Sequence, residues 1–198
     1  ILSHNKALVI FYPGCIEFEI MLACELTSKS LPVEVATPDG APHQSATGMI
    51  YNAHTSYGNV QINRYRSVLI PGGDPYDVLE NEEIDQLLRT AESSELLLGA
   101  ICAGPLLLAK AGILKGHKFT HGYGEHHKDL LAEFWQGAEF TDQPVTIDDN
   151  IVTAKPEAHI DFAVNLARLV GAIDDNKAAY YKNYYKGLKG RHQLGALN

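Results

Sequence analysis

The apolar run Leu96 to Ile101 ends at Cys102, and after Ala103, Gly104 and Pro105 the chain resumes as Leu106 to Leu108. The first run suits a fully buried strand, and the second reads as the opening of a helix. A cysteine is thereby placed at a strand-to-helix corner. Gly99, Ala100, Ala103 and Gly104 carry almost no side chain, so the backbone can turn sharply there. This is the steric logic of a nucleophile elbow with sulfur in place of oxygen. The first helical amides would turn their positive ends toward the sulfur and favour the thiolate. A buried cysteine acting as a small apolar side chain is the competing reading.

The rest of the chain supplies a sheet for such a corner. Ala7 to Tyr12 is a continuous apolar strand closed by Pro13-Gly14, and a helix is expected over Ile16 to Ser28. Ile16, Ile20, Ala23 and Cys24 fall on one stripe of that helix, with Glu19 beside it. An acid in a first turn is also favoured simply by the helix dipole. Val33 to Thr37 gives a second strand, so the opening is a βαβ unit and the sheet is parallel. Asp39-Gly40 marks a turn, and residues 41–65 show no clear period. Ser67 to Ile70 is another buried strand, and it runs into Pro71-Gly72-Gly73. Two consecutive glycines there let backbone N–H groups face a pocket, as an oxyanion hole requires, although an isolated sequence of this kind is more often a plain turn.

Asn81 to Ser94 is an amphipathic helix, with Ile84, Leu87, Leu88 and Ala91 on one side. The elbow helix is expected to end near Ala111-Gly112, and Lys118 to His121 to run extended. His121, His126 and His127 cluster in sequence, but their spacing fits no zinc pattern, so two of them are read as exposed and no metal site is assigned. Val145 to Ile147 and Asn150 to Ala154 form a hairpin around Asp148-Asp149. Glu157 to Val170 is a helix stopped by Gly171. Tyr180, Tyr181, Tyr184 and Tyr185 lie at helical spacing within Lys177 to Gly190, a packing stripe against the core or a second subunit. The final residues His192 to Asn198 read as a loose end.

One domain of 198 residues is expected, with its core over about 6–171 and a C-terminal helix and tail over about 175–198. A formal charge of −8 argues against a nucleic-acid surface. Three cysteines, Cys15, Cys24 and Cys102, without CxxC spacing indicate no disulfide framework and fit a cytoplasmic protein. No run approaches the roughly 20 apolar residues of a membrane span.

A strand–turn–helix with Glu19, a strand ending in Pro71-Gly72-Gly73, and AICAGP around Cys102 stand here in one order. Together, over about Ala7 to Val170, they resemble the ThiJ/PfpI superfamily of the class I glutamine amidotransferase-like fold, especially its parkinsonism-linked deglycase clade. The resemblance implies a flavodoxin-like three-layer α/β/α sandwich with a mostly parallel sheet, and a homodimer without a cofactor. It implies that Cys102 is the reactive cysteine, that Glu19 is a carboxyl hydrogen-bonded to its sulfur and protonated through burial, and that His121 is the histidine near the elbow. The Gly73 and Ala103 amides match the oxyanion donors. Histidine often follows the cysteine in related chains, and Ala103 here sets this chain apart from the peptidase-like branch. The segment Ala154-Lys155-Pro156-Glu157 departs from the clade's glycine-rich stretch and keeps only Pro156. The implied activity is glyoxalase- or deglycase-type chemistry on small reactive aldehydes such as methylglyoxal. A redox-sensing or chaperone-like role for an oxidisable Cys102, and amide hydrolysis or isocyanide hydration on the same scaffold, are the alternatives.

Overall fold

The computed structural model describes residues 5–188. The expected loose end from His192 to Asn198 lies outside the described residues. Seven strands form one sheet, and five helices of more than one turn pack on it. In chain order the main elements are β1 (Lys6–Ile10), α1 (Phe18–Thr27), β2 (Val33–Thr37), β3 (Thr55–Ser56), β4 (Tyr65–Ile70) and α2 (Glu82–Ser93). They continue with β5 (Leu97–Ile101), α3 (Pro105–Lys110), β6 (Val145–Asp148), β7 (Ile151–Ala154), α4 (His159–Leu169) and α5 (Asp175–Tyr185). The strand order is β6-β7-β5-β4-β1-β2-β3, parallel throughout except for β6 on β7.

The period of two along each strand divides the core between two faces. Leu8 and Ile10 of β1, Val68 and Ile70 of β4, and Leu98 and Ala100 of β5 join one cluster with α2 and α3. Ala7, Val9, Leu69, Ile101 and Val152 point the other way, into a cluster with α1, α4 and α5. Helices therefore cover both faces, and the central strands read as continuous apolar runs because neither face meets water. Gly99 is needed for this packing, since a Cβ there would run into Phe162 and Leu166 of α4.

Several boundaries differ from the sequence expectation for identifiable reasons. The first helix begins at Phe18, not Ile16, because Cys15–Ile16 pairs antiparallel with Gly72–Gly73. Residues 41–65, without a period in sequence, hold a two-residue hairpin, His43–Gln44 on Ile50–Tyr51, fastened to the Cys15 segment by Ala46 N–H on the Cys15 carbonyl at 2.9 Å. The helix expected from Glu157 starts at His159, because 156–158 is a 3₁₀ turn opened by Pro156. Its stop at Gly171 is as expected: φ is +79°, and Ala172 N–H returns to the Ala167 carbonyl at 2.8 Å. The last helix spans Asp175–Tyr185 and is capped by the Asp174 side chain on Lys177 N–H. Its tyrosines stack in pairs, 180 on 184 and 181 on 185, and Tyr181 packs against the α1/α4 cluster.

Candidate active site

Parallel strands deliver their carboxyl ends to one edge, and this edge is where open α/β sheets bind ligands. Val9 of β1 is in register with Leu69 of β4, and Leu69 with Gly99 of β5. Three chain segments therefore leave the sheet side by side, at Tyr12, Pro71 and Cys102. Cys102 has φ +61°, a left-handed conformation costly for any residue with a Cβ. The surrounding backbone holds it there. Cys102 N–H donates to the Ala154 carbonyl at 2.9 Å, Gly122 N–H donates to the Cys102 carbonyl at 2.8 Å, and Gly104 N–H closes the corner on Ile101 at 2.9 Å.

Glycines make the walls. A Cβ on Gly72 would lie 2.7 Å from Glu19 Oε2 and 2.9 Å from Cys102 Sγ. A Cβ on Gly122 would lie 2.9 Å from Cys102 Cα and 2.7 Å from Pro156 Cδ. Gly104 packs against the carbonyl oxygens of Ile70 and Pro71. The Tyr12 hydroxyl, buried beneath, donates to the Pro71 and Gly72 carbonyls at 2.8 and 2.7 Å and so fixes the loop from below.

Glu19 enters from the first turn of α1 and is 2% exposed. Burial pushes its carboxyl up to about 7, against the lowering effect of hydrogen bonds with the Cys102 thiol and the Gly72 amide. The expected burial-driven protonation therefore has a physical basis near neutral pH. The expected thiolate does not. Burial first, and then the negative charge of Glu19, push the Cys102 thiol up to about 12, outweighing the amides of Gly73 and Ala103 that hydrogen-bond to sulfur. The helix behind the sulfur is only six residues long and contributes little more than those amides. Burial thus favours the proton on sulfur, with Glu19 beside it as the group placed to take it.

Of the five residues singled out in sequence, Cys102, Glu19, Gly73 and Ala103 meet. His121 flanks them, one residue before the Gly122 that rests against Cys102, and its side chain meets a set of aromatic rings. Its ring stacks between Phe140 at 4.6 Å and Trp135 at 5.0 Å, and its Nδ1 accepts from Tyr123 N–H at 3.1 Å. Burial lowers its pKa, and the charges acting on it are those of Lys155 and Asp142. The sequence reading also left two of the three clustered histidines exposed, but only His126 is; His127 turns inward with Nδ1 buried. Among the described residues the one group with three potential metal donors within 4.8 Å is His117, Asp148 and Asp149, where Asp148 already accepts from Lys118 N–H and pairs with His117.

Tyr123 was missed in sequence. Its hydroxyl is buried without a partner and feels the charges of Tyr76, Cys102 and Asp74, while its ring meets His121, His127 and Trp135. The usable signal was the pair of glycines flanking it in His121-Gly122-Tyr123-Gly124, which let a segment approach the sulfur.

Residues 5–169 match the DJ-1/PfpI family. The chain belongs to that family. It is 30% identical to the Drosophila melanogaster protein dj-1beta over 168 residues, 82% of this chain and 88% of that one. The crystal structure of that fly protein superimposes with a TM-score of 0.78 at 24% identity, covering 95% of this chain and all of the other. A Caenorhabditis elegans protein named glutathione-independent glyoxalase DJR-1.2 is 30% identical over 83% of this chain and 88% of its own length. A Pseudomonas putida isonitrile hydratase is 29% identical over 73% of this chain and 63% of its own length. Among the described residues no helix is long and apolar enough to cross a membrane.

Proposed function

We propose that this protein is a cysteine-dependent enzyme that converts small 2-oxoaldehydes such as methylglyoxal to 2-hydroxy acids without glutathione, with deglycase-type removal of the same aldehydes from adducts as a variant of that chemistry. The observation that carries the reading is the Glu19–Cys102 pair: a buried carboxyl beside a thiol held on a left-handed corner, both packed against Gly72, with the Gly73 and Ala103 amides near the sulfur. The worm glyoxalase relative adds support.

In this reading Cys102 is the nucleophile at an elbow. Its sulfur bonds to the aldehyde carbon while the thiol proton passes to the Glu19 carboxylate, giving a hemithioacetal. The Gly73 and Ala103 amides are near enough to sulfur to hold the oxygen that develops beside it. A proton then leaves the former aldehyde carbon and another arrives on the neighbouring carbon, through an enediol. One carbon is oxidised and its neighbour reduced, so no outside oxidant enters. Water cleaves the resulting thioester, releasing lactate and restoring the thiol. Glu19, whose carboxyl is raised to about 7, is suited to both accepting and returning protons near neutral pH.

The test is loss of methylglyoxal and appearance of lactate with purified protein, compared with Cys102→Ser and Glu19→Gln. Cysteine-dependent lactate is the expected result; full turnover by Cys102→Ser would end the mechanism. Conversion of an isonitrile to a formamide by the same sulfur would instead favour the hydratase branch.

The reading includes a homodimer. Phe18 and Met21 of α1, and Met49 and Ile50 of the small hairpin, are apolar and 40–72% exposed, and the Thr47 hydroxyl donates to Glu17, tying the two segments together. Sedimentation of wild type against Ile50→Lys tests it; identical monomeric behaviour would remove the dimer.

A further inference from the structure

The Cys102 chemistry leaves unused a cavity of about 430 Å³ in the segment between Phe119 and Asp142. That volume falls within the roughly 300–1,000 Å³ of small-molecule sites and offers far more room than a three-carbon aldehyde fills. Its inner wall is a layered set of rings. Trp135 stacks on Phe119 at 5.1 Å with 30° between the planes, and on His121 at 5.0 Å with 24°. His121 stacks in turn on Phe140 at 4.6 Å and 18°. Another flat ring can join such an array by offset stacking.

Two polar atoms in this wall, Tyr123 Oη and His127 Nδ1, are buried and have no hydrogen-bond partner. Groups of this kind cost folding energy unless something satisfies them. Both atoms are closed off as the side chains stand, so an apolar guest would leave them unpaired, whereas one with an oxygen beside its ring would draw the Tyr123 hydroxyl out and pair it. The cavity and the sulfur share a wall. His121, Tyr123 and Gly124 line the cavity, while Gly122 between them rests against Cys102, where a Cβ would come within 3.1 Å of Sγ.

We propose that this cavity is the side-chain subsite of the Cys102 centre and that it selects 2-oxoaldehydes bearing an aryl ring, of which phenylglyoxal is the simplest. The ring stacks on the exposed face of Phe140, the Tyr123 hydroxyl turns to donate to the keto oxygen, and the aldehyde carbon meets the Cys102 sulfur. The proposal rests on the carbonyl-enzyme reading above for its chemistry, which is unchanged. Sulfur adds to the aldehyde carbon, its proton passes to Glu19, the hydrogen shift is internal, and water releases the aryl hydroxy acid, here mandelate.

Turnover and occupancy test it separately. Phenylglyoxal is expected to exceed methylglyoxal in kcat/KM by about tenfold or more, the order of gain that burying and stacking one ring supplies. Ala138→Phe, which fills the cavity, and Phe140→Leu, which removes an exposed stacking face, should each lower that ratio by about tenfold. Melting curves establish that both variants fold. Occupancy is read from Trp135, the chain's sole tryptophan. In Cys102→Ser, 1-phenylethanol is expected to shift its emission saturably, and 2-propanol to leave it unmoved.

Methylglyoxal turnover with no aryl preference and no shift in Trp135 emission would overturn the subsite while leaving the enzyme reading intact. Absence of turnover on both aldehydes, with saturable binding of 1-phenylethanol, would support the aryl cavity and remove the carbonyl chemistry. Neither turnover nor binding would overturn both.

Discussion

The Cys102 corner and the ring-lined cavity lie on either side of one short segment, yet they are built in opposite ways. The corner takes its parts from the ends of β1, β4 and β5, strands with fixed register, and is walled by glycine and backbone. The cavity takes its parts from short turns and two-residue strands, Lys118–Phe119 paired with Glu139–Phe140, and is walled by large side chains. One site is specified by main-chain geometry that tolerates no added atom, the other by side-chain volume that can be exchanged. The proposed chemistry falls in the first, and the proposed choice of substrate in the second.

This contrast orders the effects of substitution. After loss of the Cys102 sulfur itself, Glu19→Gln should have the largest, a fall of about 10²–10⁴ in turnover, because it removes the proton acceptor beside the sulfur. Wild-type turnover should rise with pH through about 7 as the Glu19 carboxyl loses its proton, and the variant should lack that limb. Stability should move the other way. The folded carboxyl titrates near 7 and its unfolded counterpart near 4.5, so the wild type loses about 3 kcal/mol between those values as pH rises. Glu19→Gln should therefore melt higher than wild type at pH 8, with the gap closing toward pH 4.5. A variant less stable at pH 8 would contradict the buried, raised carboxyl.

Gly72→Ala should cost about 1–3 kcal/mol in chemical denaturation and about 10² in turnover, since its methyl would press on both Glu19 Oε2 and Cys102 Sγ. Normal activity would show that the corner can yield, and the contrast with the cavity would fail. Tyr12→Phe removes the hydroxyl beneath the Pro71 and Gly72 carbonyls and should lower stability by about 1 kcal/mol. His121→Phe should have the smallest effect on methylglyoxal turnover, under about tenfold, because a phenyl ring keeps the stacking on Trp135 and Phe140. A hundredfold loss would place His121 with the corner after all.

What was legible in the sequence follows the same division. Ala7 to Tyr12, Ser67 to Ile70 and Leu96 to Ile101 announced buried parallel strands as apolar runs, and all three are central in the sheet. Cys102 and the glycines after Pro71 could be read because backbone constraint leaves small residues behind. Glu19 needed the family resemblance, since an acid in a first helical turn has an ordinary explanation. The hairpin within residues 41–65 was invisible because two-residue strands have no period to detect. Tyr123 and His127 escaped because nothing in a loop's composition says which side chains turn inward. The thiolate expectation failed on magnitude: two amides lower the thiol, while burial and the Glu19 carboxyl raise it further.

The hydrogen bond from Cys102 N–H to the Ala154 carbonyl has a consequence in time as well as space. The corner is encoded by residue 102, but its clamp arrives on β7, some fifty residues later in the chain. During synthesis, therefore, the cysteine emerges before the carbonyl that clamps it. A chain interrupted before that point carries the sulfur without this clamp.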